Sequence, residues 1–263
     1  MVHLPTQSDP PFSPRQTLPT MYDLPSDNLE EPGLPDEFHF FQPLLLFLTF
    51  QPANWNRELV FSACDLNLYY SVTHPQWYKR PDWFGVVGVP RLYEGRDLRL
   101  SYVVWQEEVN PFVVVELLSP GTQEEDLGNT VQIPGNPPTK WQVYEQILRI
   151  PYSIVFSRYT NEVQGFHLVG GHYEPMNLID NRLLMPELEL SLGLWQGSFR
   201  GINRLWLRWM TIEGELILTP EEDAVEAREQ AVEAQEQAAA EQERAERLAA
   251  RLRELGVDPD ELE

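Results

Sequence analysis

Two runs of the chain are apolar on both faces at once: FVVVELL at 112–118 and YSIVFS at 152–157. Neither shows the alternation of a strand with one wet face, so both demand cover above and below. Between them lie a turn-rich stretch, SPGTQEEDLGNTVQIPGNPPT, and the segment KWQVYEQILRI. The latter sets Lys140, Tyr144, Ile147 and Leu148 at helical spacing behind Thr139, a helix-capping residue. Strand, helix, strand in that order implies a crossover between parallel strands. The expected fold class is α/β, a mixed β-sheet flanked by helices.

Further strands are expected in ELVFSACDLNLYYS, where Leu66, Leu68 and Tyr70 alternate with polar neighbours, and in WFGVVGVP and RLSYVVW. The stretch VQGFHLVGGHYEPM reads as a hairpin around Gly170 and Gly171. Pro43 interrupts the apolar segment PDEFHFFQPLLLFLTF, which predicts a short helix near Glu37–Gln42 and a separate apolar piece after it. Residues 1–36, rich in Pro, Ser and Asp, read as an irregular arm, and 37–218 as the main domain.

Residues 219–263 differ in kind. Thr219-Pro220-Glu221-Glu222 is a helix start. A heptad register then aligns Ala224, Ala227, Ala231, Ala234, Ala238, Glu241, Ala245, Leu248, Leu252 and Leu255, nine of the ten apolar, before Gly256 and Pro259 stop the helix. That seam predicts a C-terminal coiled coil and a homo-oligomer. A single helix held by Glu/Arg pairs and alanine propensity is the other reading.

Composition narrows the setting. A single cysteine, Cys64, allows no intrachain disulfide, and the longest apolar run, PLLLFLTF, is too short to cross a bilayer. The N-terminus lacks the pattern of a signal peptide. A cytoplasmic protein with no membrane partner is expected. The formal net charge of −22 normally argues against nucleic acid. From Thr219 onward there are fifteen acidic and five basic residues, so nearly half of that excess belongs to the tail.

Acidic residues embedded at β-rich positions are Asp65, Asp82 and Glu116. Asp82 follows a proline and runs into an apolar strand; Glu116 ends the most buried run. Two carboxylates converging at one sheet edge make a hard-oxygen site suited to Mg2+, able to activate water for attack on phosphorus. A strand-end glutamate paired with an arginine explains Glu116 as well. Asp65 reads as a turn residue. His74, His167 and His172 share no ligand spacing and read as surface residues. Cys64 reads as an inert buried thiol.

The order of these elements resembles the PD-(D/E)XK nuclease fold. More closely, RPDWFGVV, FVVVELLSPGTQEEDLG, the K-x-x-x-Y of Lys140 and Tyr144, and YSIVFSRY resemble the Uma2 family, restriction-endonuclease-like proteins abundant in cyanobacteria. The matching positions include Asp82, Glu116, Ser119, Pro120, Thr122, Asp126, Gly128, Lys140 and Tyr144. The resemblance implies a restriction-endonuclease-like core and a DNA substrate. It also implies Mg2+, with Mn2+ as a substitute, bound by Asp82, Glu116 and the backbone carbonyl of Leu117. The nuclease signature places a lysine two residues after the second acid, where this chain has Leu118. Lys140, on the following helix, takes that catalytic role in the resemblance. Glu37 and His39 stand nearest to where related folds carry another acidic or histidine residue. The rival readings are a catalytically inactive nuclease-fold protein that binds or assembles through its tail, and a hydrolase of another phosphate ester.

Overall fold

The computed structural model of the chain describes residues 36–119, 127, 128, 130 and 135–254. The expected irregular arm, Asp36 excepted, lies outside the described residues, as do Pro120, Thr122, Asp126, Leu255, Gly256 and Pro259. Helix α1 spans Phe38–Thr49, and a 3-10 turn at Arg57–Leu59 leads into β1 (Val60–Cys64), β2 (Leu68–Tyr69), β3 (Tyr78–Lys79), β4 (Trp83–Val87) and β5 (Tyr102–Val103). Helix α2 (Val104–Glu107), β6 (Val113–Leu117) and α3 follow. Helix α3 starts as an α-turn at Lys140–Gln142 and continues as a π-helix over Val143–Ile147. Then come β7 (Tyr152–Ser157), β8 (Glu162–Val169), β9 (His172–Pro175), β10 (Arg182–Met185), β11 (Leu190–Phe199), β12 (Ile202–Thr211) and α4 (Pro220–Glu254).

The central sheet has the order β1-β4-β6-β7-β8-β9. Only β6 and β7 run parallel in it, joined by the stretch that contains α3, which is the crossover expected between the two apolar runs. Both strands are buried along their whole length. Val113, Val115 and Leu117 of β6 face a core that includes α1 and the antiparallel sheet β10-β11-β12. Val114 faces the opposite core, with Phe84, Val143 and Tyr144. A small third sheet, β3-β2-β5, supplies Leu68 and Tyr102 to that second core. By strand parity Glu116 shares the face of Val114, toward α3. The hairpin expected at Gly170 and Gly171 is present: both take positive φ (61° and 99°), and Val169 pairs with His172 across the two-residue turn.

Two expectations fail. Helix α1 does not stop at Gln42 but runs through Pro43 to Thr49. The proline forfeits a backbone hydrogen bond, at a cost of about 3 kcal/mol. Fully burying Leu45 and Leu46 returns about 2 kcal/mol each, and Phe38 and Thr49 are buried on the same helix. The expected strand RLSYVVW is likewise cut short after Val103. The turn of α2 brings Glu107 back to Arg99, whose Nε and Nη2 donate to its two carboxylate oxygens at 2.7 and 2.9 Å.

Gln42 fixes α1 on the edge of the second sheet. Its amide nitrogen donates to the Leu207 carbonyl at 2.7 Å, and its amide oxygen accepts from the Leu207 N–H at 2.9 Å. The side chain thus acts as a neighbouring strand would.

The chain divides into two units, Met1–Ile217 and Leu218–Glu263. The second contains α4, opened by a capping box in which Thr219 and Glu222 exchange side-chain-to-backbone bonds of 3.3 and 2.8 Å. The expected heptad seam from Ala224 to Leu248 is solvent-exposed. No described helix is long and apolar enough to cross a membrane.

Replacing Gln42 with Leu should leave the Leu207 N–H and carbonyl buried and unpaired, lowering folding stability by about 2–4 kcal/mol. Urea titration with an unchanged slope would check it; an unchanged midpoint would show that α1 is not held by this clasp.

Candidate active site

The site begins where a β-ladder breaks. Strands β4 and β6 are antiparallel with Trp83 opposite Val115, and continuing that register sets Asp82 opposite Glu116 and Pro81 opposite Leu117. The Gly85 carbonyl accepts from Phe112 on the β6 side at 2.8 Å, whereas the Asp82 carbonyl turns away to accept from Asp65 at 3.1 Å. Position 81 is therefore the one that should exchange two hydrogen bonds with Leu117. Proline has no N–H to give, and the ladder ends. Instead the Leu117 N–H donates to Asp82 Oδ2 at 2.6 Å, and the Leu117 carbonyl meets His39 Nε2 at 3.2 Å.

Glu116 is 1% exposed, so its charge must be compensated locally. Oε2 accepts from Lys140 Nζ at 2.9 Å and, at a longer 3.4 Å, from the Asp82 N–H; Oε1 accepts from the Tyr144 hydroxyl at 2.7 Å. Both helix partners come from α3. Its first turn is held by a capping box between Thr139 and Gln142, and its π-turn buries Val143 and Tyr144. Gly128 packs below this helix with φ of 74°, and a Cβ there would come within 2.7 Å of the Trp141 ring. Asp82, Glu116 and Lys140 thus come together on one face of the sheet, with the Leu117 carbonyl at its edge.

A second row of residues lies behind them. The His39 Nδ1 meets Asp36 Oδ1 at 2.9 Å, and Arg158 Nη1 lies 2.8 Å from Asp36 Oδ2. Both His39 ring nitrogens face acceptors, a carboxylate and a carbonyl, so satisfying both requires the imidazolium. Burial alone would lower the His39 pKa, but the Asp36 bond, with the charges of Asp82 and Asp36, outweighs it and raises the value. Burial would likewise raise Asp36; its bond to His39, with the charges of His39 and Arg158, pulls it below the usual carboxylate range. Of the two residues weighed on the first helix, Glu37 is exposed and His39 is the one at the site. Asp36 and Arg158 went unnoticed in the sequence. The legible signal for Asp36 was an Asp three residues before His39 at a helix start, where its Oδ1 also accepts the His39 N–H at 3.1 Å.

Asp65 sits in a left-handed turn (φ 49°) after β1, and burial raises its pKa against the pull of Arg80 and Lys140. Cys64 is exposed rather than buried, because β1 ends there. Desolvation, with the charges of Asp65 and Asp82, still pushes its thiol up to about 12. His74 and His172 are exposed, and His167 is half-buried, its ring stacked on Tyr152.

Among the described residues no three His, Cys, Asp or Glu side chains form a metal-binding group. The donors at hand are two carboxylates and one backbone carbonyl, released from its ladder by Pro81. All are hard oxygens, and the Leu117 oxygen has a second lone pair beyond the one facing His39. This set fits Mg2+, which keeps several of its own waters, and does not fit zinc.

The family model Uma2, described as "Putative restriction endonuclease", matches residues 16–203. The chain belongs to the Uma2 family. The match contains Asp82, Glu116, Lys140 and Tyr144 and ends inside β12, ahead of α4. The mixed sheet with its crossover is consistent with the restriction-endonuclease-like core. No curated protein matches the chain significantly.

The raised His39 pKa has a definite sign. Its contribution to stability is complete below the unfolded histidine value near pH 6.5 and fades as pH rises through the higher folded value. In metal-free protein, His39→Ala should therefore cost more at about pH 5.5 than at about pH 9, and Asp36→Asn should lower the His39 pKa read by NMR. Equal cost at both pH values would show that no imidazolium is held there.

Proposed function

We propose that the protein is a Mg2+-dependent endonuclease that hydrolyses DNA phosphodiester bonds, with Mn2+ as a substitute ion. The observation that carries this reading is the linkage of the two acids: Asp82 accepts from the Leu117 N–H at 2.6 Å, and Glu116 accepts from the Asp82 N–H at 3.4 Å and from Lys140 at 2.9 Å. Membership of a family described as "Putative restriction endonuclease" supports the substrate class.

Asp82, Glu116 and the Leu117 carbonyl would hold the ion. Bound there, Mg2+ supplies a water of lowered pKa and positive charge toward the phosphoryl oxygens. Lys140 brings its ammonium to the same place from α3, whereas position 118, where the nuclease signature has lysine, is leucine. The ammonium orients the attacking water and offsets charge on the phosphate as the P–O ester bond breaks. Tyr144 holds Oε1 of Glu116 and so fixes the direction of Oε2.

Asp82→Asn and Glu116→Gln should each lower Mg2+-dependent plasmid nicking by a hundredfold or more, and Lys140→Ala by a comparable factor. Full activity in both acid variants would defeat the site. Mg2+ binding measured by calorimetry, with no cleavage of any DNA tested, would favour a nuclease-fold binding protein instead.

We assign self-association to α4, whose exposed heptad seam runs over more than three heptads from Ala224 to Leu248. Sedimentation should find the full chain oligomeric and a chain ending at Leu218 monomeric; equal association states would reject that role.

A further inference from the structure

In a chain of net charge −22, two guanidinium groups crowd one aromatic ring. Arg158 Cζ lies 5.6 Å and Arg204 Cζ 4.2 Å from the centroid of buried Phe38. Arg204 also lies 5.3 Å from the Trp206 ring, and Arg158 5.1 Å from Tyr159. Burial, with repulsion from Arg158, pulls the Arg204 pKa below its ordinary value. Among the described residues Asp36 is the carboxylate that compensates the pair, and it is already shared with His39. The Arg158–Asp36 ion pair is enough to tie β7 to the start of α1. Adding a second cation costs desolvation and repulsion without adding a carboxylate. Two ring contacts and an Nε–H donated to the Leu205 carbonyl at 3.3 Å hold Arg204 beside Arg158.

The position of the pair suggests a further role. Arg158 follows the last residue of β7, and Phe156 of β7 pairs with Leu117 at the end of β6. The cations therefore lie at the carboxyl ends of the two parallel strands, the usual place for a ligand on an α/β sheet. Asp36 and His39 form a continuous chain of contacts from Arg158 to the Leu117 carbonyl. Beside Arg158 stands Tyr159, 58% exposed at the β7–β8 turn, a flat apolar surface open to solvent.

We propose that Arg158 and Arg204 hold a backbone phosphate of the nucleic-acid strand entering the Asp82–Glu116 site, while Tyr159 stacks on an unpaired base next to it. This rests on the endonuclease reading and extends it to how the strand is held. Charge complementarity selects the occupant: paired guanidiniums suit a phosphodiester, and an exposed aromatic ring suits a base of any sequence. Asp36 and His39 act as positioning residues, relaying the place of that phosphate to the carbonyl beside the scissile bond.

The test is binding of a fluorescent single-stranded DNA oligonucleotide to the full chain, read by anisotropy over a series of NaCl concentrations with Ca2+ replacing Mg2+. Arg204→Gln and Arg158→Gln should each weaken binding by about fivefold to tenfold and reduce the slope of log affinity against log salt by about one. Arg204→Lys should restore most of the loss. Tyr159→Ala should weaken binding about fivefold with the salt slope unchanged. Should either glutamine variant fail to fold by circular dichroism, exposed Tyr159→Ala and Arg204→Lys carry the test. Wild-type affinity in the folded variants, or no binding by the wild type, overturns the proposal. Arginine-dependent binding without cleavage in Mg2+ or Mn2+ leaves it standing and overturns the endonuclease reading alone.

Discussion

The site depends on one hydrogen bond that cannot form. Pro81, two residues ahead of β4, occupies the position that would donate to the Leu117 carbonyl if the ladder continued, and a proline nitrogen carries no hydrogen. A buried carbonyl without a donor is costly, so something else must approach it; in this fold His39 does. The same break leaves the Leu117 N–H to be taken by the side chain of Asp82. The Pro-Asp pair thus performs two linked tasks. The proline opens the ladder, and the aspartate closes half of it with a carboxylate in place of a backbone oxygen. What remains at the sheet edge is an oxygen-rich notch made from backbone that would otherwise have been ordinary β-structure.

Glu116 raises the opposite problem, a charge set inside a core. A buried carboxylate persists only with a cation and further hydrogen bonds on its remaining lone pairs. Lys140 and Tyr144, one helical turn apart, supply one bond to each carboxylate oxygen. The π-turn that follows Gln142 buries the tyrosine while Lys140 stays 16% exposed. π-turns are rare and cluster at functional sites, because a widened turn costs backbone regularity that packing must offset. Here the packing is the second core, in which Val143, Tyr144 and Leu148 meet Val114 and Phe84 of the central sheet.

Much of this was legible in the sequence because its strongest signals are local. Unbroken apolar strands, a Thr cap, a Gly-Gly turn and the Pro-Asp dipeptide each act within a few residues. Asp82 and Glu116 stood out as acids at β-rich positions, whereas Lys140 entered only through the resemblance to the Uma2 family. What escaped notice was tertiary. The run of α1 through Pro43 follows from burial against a distant sheet, and Gln42 serves as a surrogate strand for Leu207, 165 residues away. Cys64 lay in an apolar-looking run, yet β1 ends on it and leaves it exposed. Asp36 and Arg158 are far apart in the chain, and neither has a neighbour that hints at the other.

That second row changes how the notch is to be understood. Two carboxylates and a carbonyl alone would make the edge of β6 strongly negative, a poor place for a polyanion to approach. Lys140 on one side, and His39 with Arg158 behind the carbonyl on the other, bracket that negative centre with cations. Nearly half of the acidic surplus belongs to the sequence from Thr219 onward. A net charge of −22 is therefore a statement about the whole chain and a misleading one about this edge. The carboxylates are themselves tied up in bonds to lysine, tyrosine and backbone N–H groups, so the charge at this edge is balanced locally rather than by the chain as a whole.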